Sequence, residues 1–183
     1  RQAEIEVVED GPLSAVIRAT LTLPLPAWSN KAQRSDQLVD CRITCEYALR
    51  AGSKRVDVTT TIDNRARDHY LRAVFPLDMP GAEKSHAETA CDVVERDIHV
   101  PDTHRWREPM TGKQPAIAWV DVSDGKTGLA LLHKGLIQYE VMDRPDRAIA
   151  LTMFRAFQMR NYARIAEYPD QVDSQMLGET VLH

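Results

Sequence analysis

Thirteen consecutive residues near the middle of the N-terminal half alternate without a break. Val39, Cys41, Ile43, Cys45, Tyr47 and Leu49 take one parity, and Leu38, Asp40, Arg42, Thr44, Glu46, Ala48 and Arg50 the other. A period of two excludes a helix and demands a strand with one face on a core and one largely in water, the signature of an antiparallel sheet. The next stretch, Lys54 to Pro76 (KRVDVTTTIDNRARDHYLRAVFP), repeats the pattern twice around Asp63-Asn64. Val56, Val58, Thr60 and Ile62 share one face of its first half, and Leu71, Ala73, Phe75 and Leu77 one face of its second. β-Branched residues on both sides of an Asp-Asn step predict a hairpin, with Arg72 paired across it to Asp57 or Asp63.

The same reading extends along the chain. Strands are expected at Glu4 to Glu9, at Leu13 to Leu23 with Pro24 and Pro26 as the stop, and at Glu83 to Arg96. Others follow at Ala116 to Val122, Gly128 to His133, Leu136 to Met142, Ala148 to Phe157 and Gln175 to His183. His99 to Gln114 is a long loop, and Met159 to Asp173 a second one. Roughly ten strands and no convincing helical period give an all-β fold, a large antiparallel β-sandwich. At 183 residues the chain fits one domain over 1–183, able to bury ~70% of its unfolded surface. The last strand ends abruptly, and the expectation is a piece of a larger protein, truncated at both ends.

Charge narrows the function classes. A formal net charge of −4 with 27% charged residues gives no basic excess for a nucleic-acid surface. No run approaches the ~20 apolar residues of a membrane span. Cys41 and Cys45 share a strand face but would lie about 13 Å apart, too far to bridge. They and Cys91 read as small buried hydrophobes in a reducing cytoplasm.

Candidate chemistry is sparse. His69, His86, His99, His104, His133 and His183 are scattered, with no pair at helical spacing. Asp92 and Glu95 leave one strand from opposite faces, so they cannot flank one glycosidic bond at ~5 to 9 Å. Arg96 ends a strand before the long loop, where it reads either as an ion-pair partner of Asp92, Glu95 or Asp97 or as a side chain reaching over an edge. Trp106, between Arg105 and Arg107, offers an aromatic face to the C–H face of a sugar, or an anchor for interdomain packing.

Several segments together resemble one family. Leu49 to Pro76 resembles the C-terminal β domain of glycoside hydrolase family 38, the retaining α-mannosidases, nearest the bacterial branch that includes mannosylglycerate hydrolase. Glu9-Asp10-Gly11-Pro12 through Arg18, Asp92 to Arg96 with Trp106, Glu108 and Pro109, Trp119 to Gly125, Tyr139 to Val141, Ile149 to Thr152 and Gln175 to Glu179 agree in order and spacing. The resemblance implies a galactose-mutarotase-like supersandwich. It also implies a multidomain parent hydrolase of the EC 3.2.1 class, active in mannose metabolism on an α-mannoside or mannosylglycerate-like substrate, and homo-oligomeric in one reading. The nucleophile and a zinc site are implied to lie in an absent N-terminal catalytic domain, so this chain holds no catalytic residue, binds no metal and is inactive alone. It would act as an accessory and substrate-rim domain, with Arg96 as the arginine that contacts substrate and Trp106 as a second contact. The alternatives are a non-catalytic carbohydrate-binding or assembly domain and a mutarotase-like sugar epimerase, which needs a histidine and a carboxylate converging in a cleft.

Overall fold

The computed structural model describes residues 2–29, 33–160, 171–174 and 176–183. Among them every regular element is a strand. In chain order these are β1 Glu4–Asp10, β2 Ser14–Pro26, β3 Leu38–Arg50, β4 Val56–Asn64, β5 His69–Phe75, β6 Lys84–Thr89 and β7 Asp92–Asp97. There follow β8 Lys113–Pro115, β9 Trp119–Ser123, β10 Gly128–Leu132, β11 Gln138–Val141, β12 Ile149–Arg160, β13 Gln171–Ser174 and β14 Gly178–Leu182. Residue contacts divide the chain into two compact units, Arg1–Tyr70 with Arg155–His183, and Leu71–Phe154.

The first unit holds a five-stranded sheet in the order β1-β2-β3-β4-β14, antiparallel throughout. The alternation read from sequence becomes its register. Ile17 lies opposite Tyr47 and Tyr47 opposite Val58, while Leu21, Ile43 and Ile62 form the next apolar row but one. The other face carries Arg18, whose guanidinium bonds Glu6 and Glu46, both at 2.6 Å. These pairs are solvent-facing and contribute little to stability.

Two expectations about this sheet need correction. Pro24 and Pro26 do not stop β2, which pairs with β3 as far as Pro26 opposite Leu38. The N–H of Ala27 points at β3, donating to the Gln37 carbonyl at 2.8 Å. Residues of the other parity therefore turn their nitrogens away from β3, and β1 pairs no further along β2 than Thr20. Two missing donors on an edge cost no ladder bond.

The predicted hairpin of β4 and β5 is not a hairpin. The edge of β4 is taken by β14, and β5 pairs with β12. Asn64 makes the corner. Its amide nitrogen donates to the Ala66 carbonyl at 3.0 Å and the Met176 carbonyl at 2.6 Å, and its oxygen accepts from the Ala66 N–H at 3.1 Å. Asp68 then takes φ of 59°, and the chain leaves the sheet. Arg72 consequently meets Glu140 at 2.5 Å and not Asp57 or Asp63.

The second unit is itself a two-layer sandwich. One layer is the sheet β10-β9-β6-β7. The other contains β8, β11 and the first half of β12, with Tyr139 opposite Leu151 and Val141 opposite Ile149. Ala87, Val120 and Val122 of the first layer and Tyr139, Val141 and Ile149 of the second are buried. Each of these buried valine and isoleucine side chains contributes about 2 kcal/mol relative to an exposed one. The single strand expected over Glu83 to Arg96 is two strands joined by Ala90-Cys91. Cys91 accepts φ of 65° without being glycine, so no turn residue marks the reversal in sequence.

Of the long loop expected at Met159 to Asp173, residues 161–170 lie outside the described residues. The all-β antiparallel sandwich class read from the alternation is the observed one.

Candidate functional site

Arg96 is the penultimate residue of β7, the edge of its four-stranded layer. Strand parity gives it the inward face, because it pairs with buried Ser85 of β6 while its neighbour Glu95 faces out. Glu95 is occupied there by Lys84 in a close ion pair and by His86 at 3.2 Å. The Lys84 ammonium first, and His86 after it, hold the Glu95 carboxyl below its usual range. Asp92 accepts from the N–H of its own neighbour Val93 at 2.7 Å.

The Arg96 side chain therefore reaches the opposite layer. Its Nη1 donates to the phenol oxygen of Tyr139 at 3.1 Å, and that oxygen lies 3.3 Å from the Ser85 hydroxyl. With a guanidinium donating, the phenol proton is available to Ser85. Among the described residues no carboxylate lies within ion-pair distance of Arg96, so the ion-pair reading is not realised there. The guanidinium is half-buried, oriented by a neutral acceptor and carries further donors in a planar fork suited to vicinal hydroxyls or a carboxylate.

A cavity of about 40 Å³ opens beside this relay, lined among others by Ser85, Asp97, His99, Met110, Gln114 and Tyr139. It has room for about one or two water molecules. A pocket that encloses a small ligand takes ~300 Å³ or more. A sugar ring does not fit in it.

Trp106 lies on the loop after β7. Thr103, buried, closes that loop twice: its carbonyl accepts from the Trp106 N–H at 2.8 Å and its hydroxyl from the Met110 N–H at 2.7 Å. The tip from His104 to Pro109 is exposed, and Trp106 itself is 61% exposed. The indole is thus presented to solvent on a loop pinned at its base.

Two histidines do meet carboxylates. His99 Nδ1 lies 2.8 Å from Asp143, which also holds Arg147 in a close ion pair, and His104 Nδ1 lies 2.6 Å from Asp102. The His99 bond first, then Arg147, depresses the Asp143 pKa; the His104 backbone N–H, then its ring, depresses that of Asp102. The side chains of His99 and His104 are 79% and 67% exposed. Neither pair lies in a water-excluding cleft of the kind a sugar epimerase needs. Among the described residues no three His, Cys, Asp or Glu side chains converge to hold a metal ion. The cysteines are free.

Residues 1–169 match the glycosyl hydrolases family 38 C-terminal domain. This chain belongs to glycosyl hydrolase family 38. A Halalkalibacterium halodurans protein assigned as a mannosylglycerate hydrolase is 31% identical over 172 residues, covering 85% of this chain and 18% of that protein. Among solved structures, an α-mannosidase from Enterococcus faecalis aligns at 28% identity with a TM-score of 0.82, over 98% of this chain and 21% of its own. A second Enterococcus faecalis family 38 structure aligns at 26% identity with a TM-score of 0.79, over 98% and 22%. The chain thus spans about a fifth of the length of each relative.

Within this family 38 domain, the sequence singled out Arg96 and Trp106 but not Tyr139 or Ser85. The four-residue β11 shows that Tyr139 faces inward with Val141. Nothing local shows that the opposing layer brings Arg96 onto its hydroxyl.

Proposed function

We propose that the chain is an accessory and substrate-rim domain of a retaining α-mannosidase-type glycosidase, with Arg96 contacting the substrate. The carrying observation is the Arg96 guanidinium, aimed by Tyr139 and unpaired with any carboxylate among the described residues. Its free donors can hold the hydroxyls of a mannoside or the carboxylate of a mannosylglycerate-like substrate. Trp106 supplies a second, stacking contact. Retaining hydrolysis takes two carboxyl groups flanking one bond. The proposal assigns these, and the zinc, to the parent's N-terminal catalytic domain, so the chain alone is inactive.

Family membership supports the hydrolase class, and the relative from Halalkalibacterium halodurans supports the mannosylglycerate branch. The sandwich of the second unit supports a galactose-mutarotase-like architecture. Three free cysteines support a cytoplasmic parent. The test is an assay of the full-length parent, supplied with zinc, on an aryl α-mannoside and on mannosylglycerate. Turnover of either with retained anomeric configuration is expected, and turnover of neither overturns the reading.

A further inference from the structure

The five residues of β9, Trp-Val-Asp-Val-Ser, alternate, and burial follows the alternation. Val120 and Val122 are fully buried, so Trp119 and Asp121 take the outer face of the layer β10-β9-β6-β7. Register assembles two rows across that face. One is Leu132-Trp119-Glu88-Val93, with Trp119 and Glu88 each one residue beyond the paired Val120 and Ala87. The next is Ala130-Asp121-His86-Glu95. We infer that this face is a binding surface for a neutral glycan, held by Trp119, Asp121 and Glu88.

A sugar ring offers an apolar C–H face and an edge of hydroxyls. Trp119 is half-buried, and Leu132 and Val93 in its row are 64% and 51% exposed. That strip suits the C–H face, with the indole as its aromatic plane. The second row lies roughly 7 Å further along the strands and supplies polar groups. The carboxylates of Asp121 and Glu88 make no hydrogen bond or ion pair among the described residues. An ionised carboxylate only accepts, so the ligand must donate. Beside Asp121 the face stays low. Its neighbour on β10 is Ala130, and a Cβ on Gly128 would meet the Ser123 side chain at 3.1 Å and the Val122 carbonyl at 3.2 Å. Charge disfavours an anionic ligand, since neither row holds an arginine and the nearby Lys84 is taken by Glu95. It disfavours a cationic one too, because Glu95 is already offset by Lys84 and His86. Neutral hydroxyls are what the two free carboxylates suit. The inference rests neither on Arg96 nor on turnover by the parent, so it stands or falls separately from the substrate-rim reading.

The test follows migration of the full-length parent in native gels cast with soluble mannan, dextran or galactan. Retardation by at least one of them is expected, and it should persist at about 0.5 M salt because the ligand is uncharged. Trp119→Ala should weaken the apparent affinity about tenfold through the lost stacking contact, and Asp121→Ala several-fold. Leu132→Asp, at a solvent-facing position of the same strip, should weaken it too and keeps the test readable if Trp119→Ala does not fold. All three variants should keep the wild-type kcat/KM on an aryl α-mannoside. Retardation of the wild type by none of the three polymers overturns the inference, and so does wild-type retardation of the folded variants. Retardation by polylysine alone, abolished by salt, also overturns it and assigns the face to a basic partner.

Discussion

Arg96 on β7 and Tyr139 on β11 meet at 3.1 Å between the two layers of the Leu71–Phe154 unit. The acceptor is fully buried and the donor only half so. The core thereby fixes the direction of a cation on an edge strand, and a change at Tyr139 should be felt through Arg96.

Tyr139→Phe keeps the ring and removes the acceptor. In the full-length parent, kcat/KM should fall by roughly threefold to tenfold, at a stability cost of about 1 kcal/mol for the lost bonds. In an Arg96→Ala background the same change should leave kcat/KM unaltered, since the two act through one contact. Additive losses in the double-mutant cycle would assign Tyr139 a separate role.

Asn64 joins the end of β4 to the corner and to β14 through three bonds, and is 2% exposed. Asn64→Ala strands buried backbone groups and should cost about 2 to 3 kcal/mol. Asn64→Asp keeps the acceptor but loses both donors and buries a charge, so it should cost at least as much. Amide exchange in β4 and β14 peptides reads the effect. Unchanged exchange in both variants would show that Asn64 does not hold the corner.

That corner also shows what the sequence makes legible. Alternation in β3 predicts which of its residues share a face, while the register that sets Ile17, Tyr47 and Val58 in one row comes from the paired strands. Asp63-Asn64 is a turn signal, but asparagine serves a hairpin turn and a side-chain corner equally well. The choice was made by β14, from the other end of the chain, which no local pattern contains. Ala90-Cys91 reverses the chain with residues that carry no turn signal, and so hides the β6-β7 hairpin. Arg96 was visible as a strand-end cation, while its partner Tyr139 depends on which layers face each other.

His133 is buried with neither ring nitrogen hydrogen-bonded. Burial lowers its pKa from the ordinary 6.5, with Glu88 acting weakly the other way. Below about pH 6.5 the unfolded chain takes up the proton first. Stability is therefore full above that pH and is lost as pH falls towards the folded value, by at most ~1.4 kcal/mol per pH unit. Replacing His133 with leucine should flatten this acid-side slope in urea titrations. His69, lowered also by burial, leaves a residual slope of the same sign. An unchanged slope would mean His133 is solvated in the native protein.

Trp106 is mostly exposed, so Trp106→Ala should shift stability by no more than about 0.5 kcal/mol. As a stacking contact it should raise KM for mannosides several-fold with kcat nearly constant, measured by steady-state kinetics. A large loss of stability with unchanged KM would make it a packing anchor instead.

The most direct measurement is kcat/KM of full-length Arg96→Ala and Arg96→Lys on an aryl α-mannoside and on mannosylglycerate. Losing a guanidinium that contacts substrate should lower kcat/KM by roughly tenfold or more. Lysine should restore part of it, the fall should be larger on the carboxylate-bearing substrate, and stability should change by less than about 1 kcal/mol. Wild-type kinetics for Arg96→Ala on both substrates would contradict the assignment of Arg96 to the substrate rim.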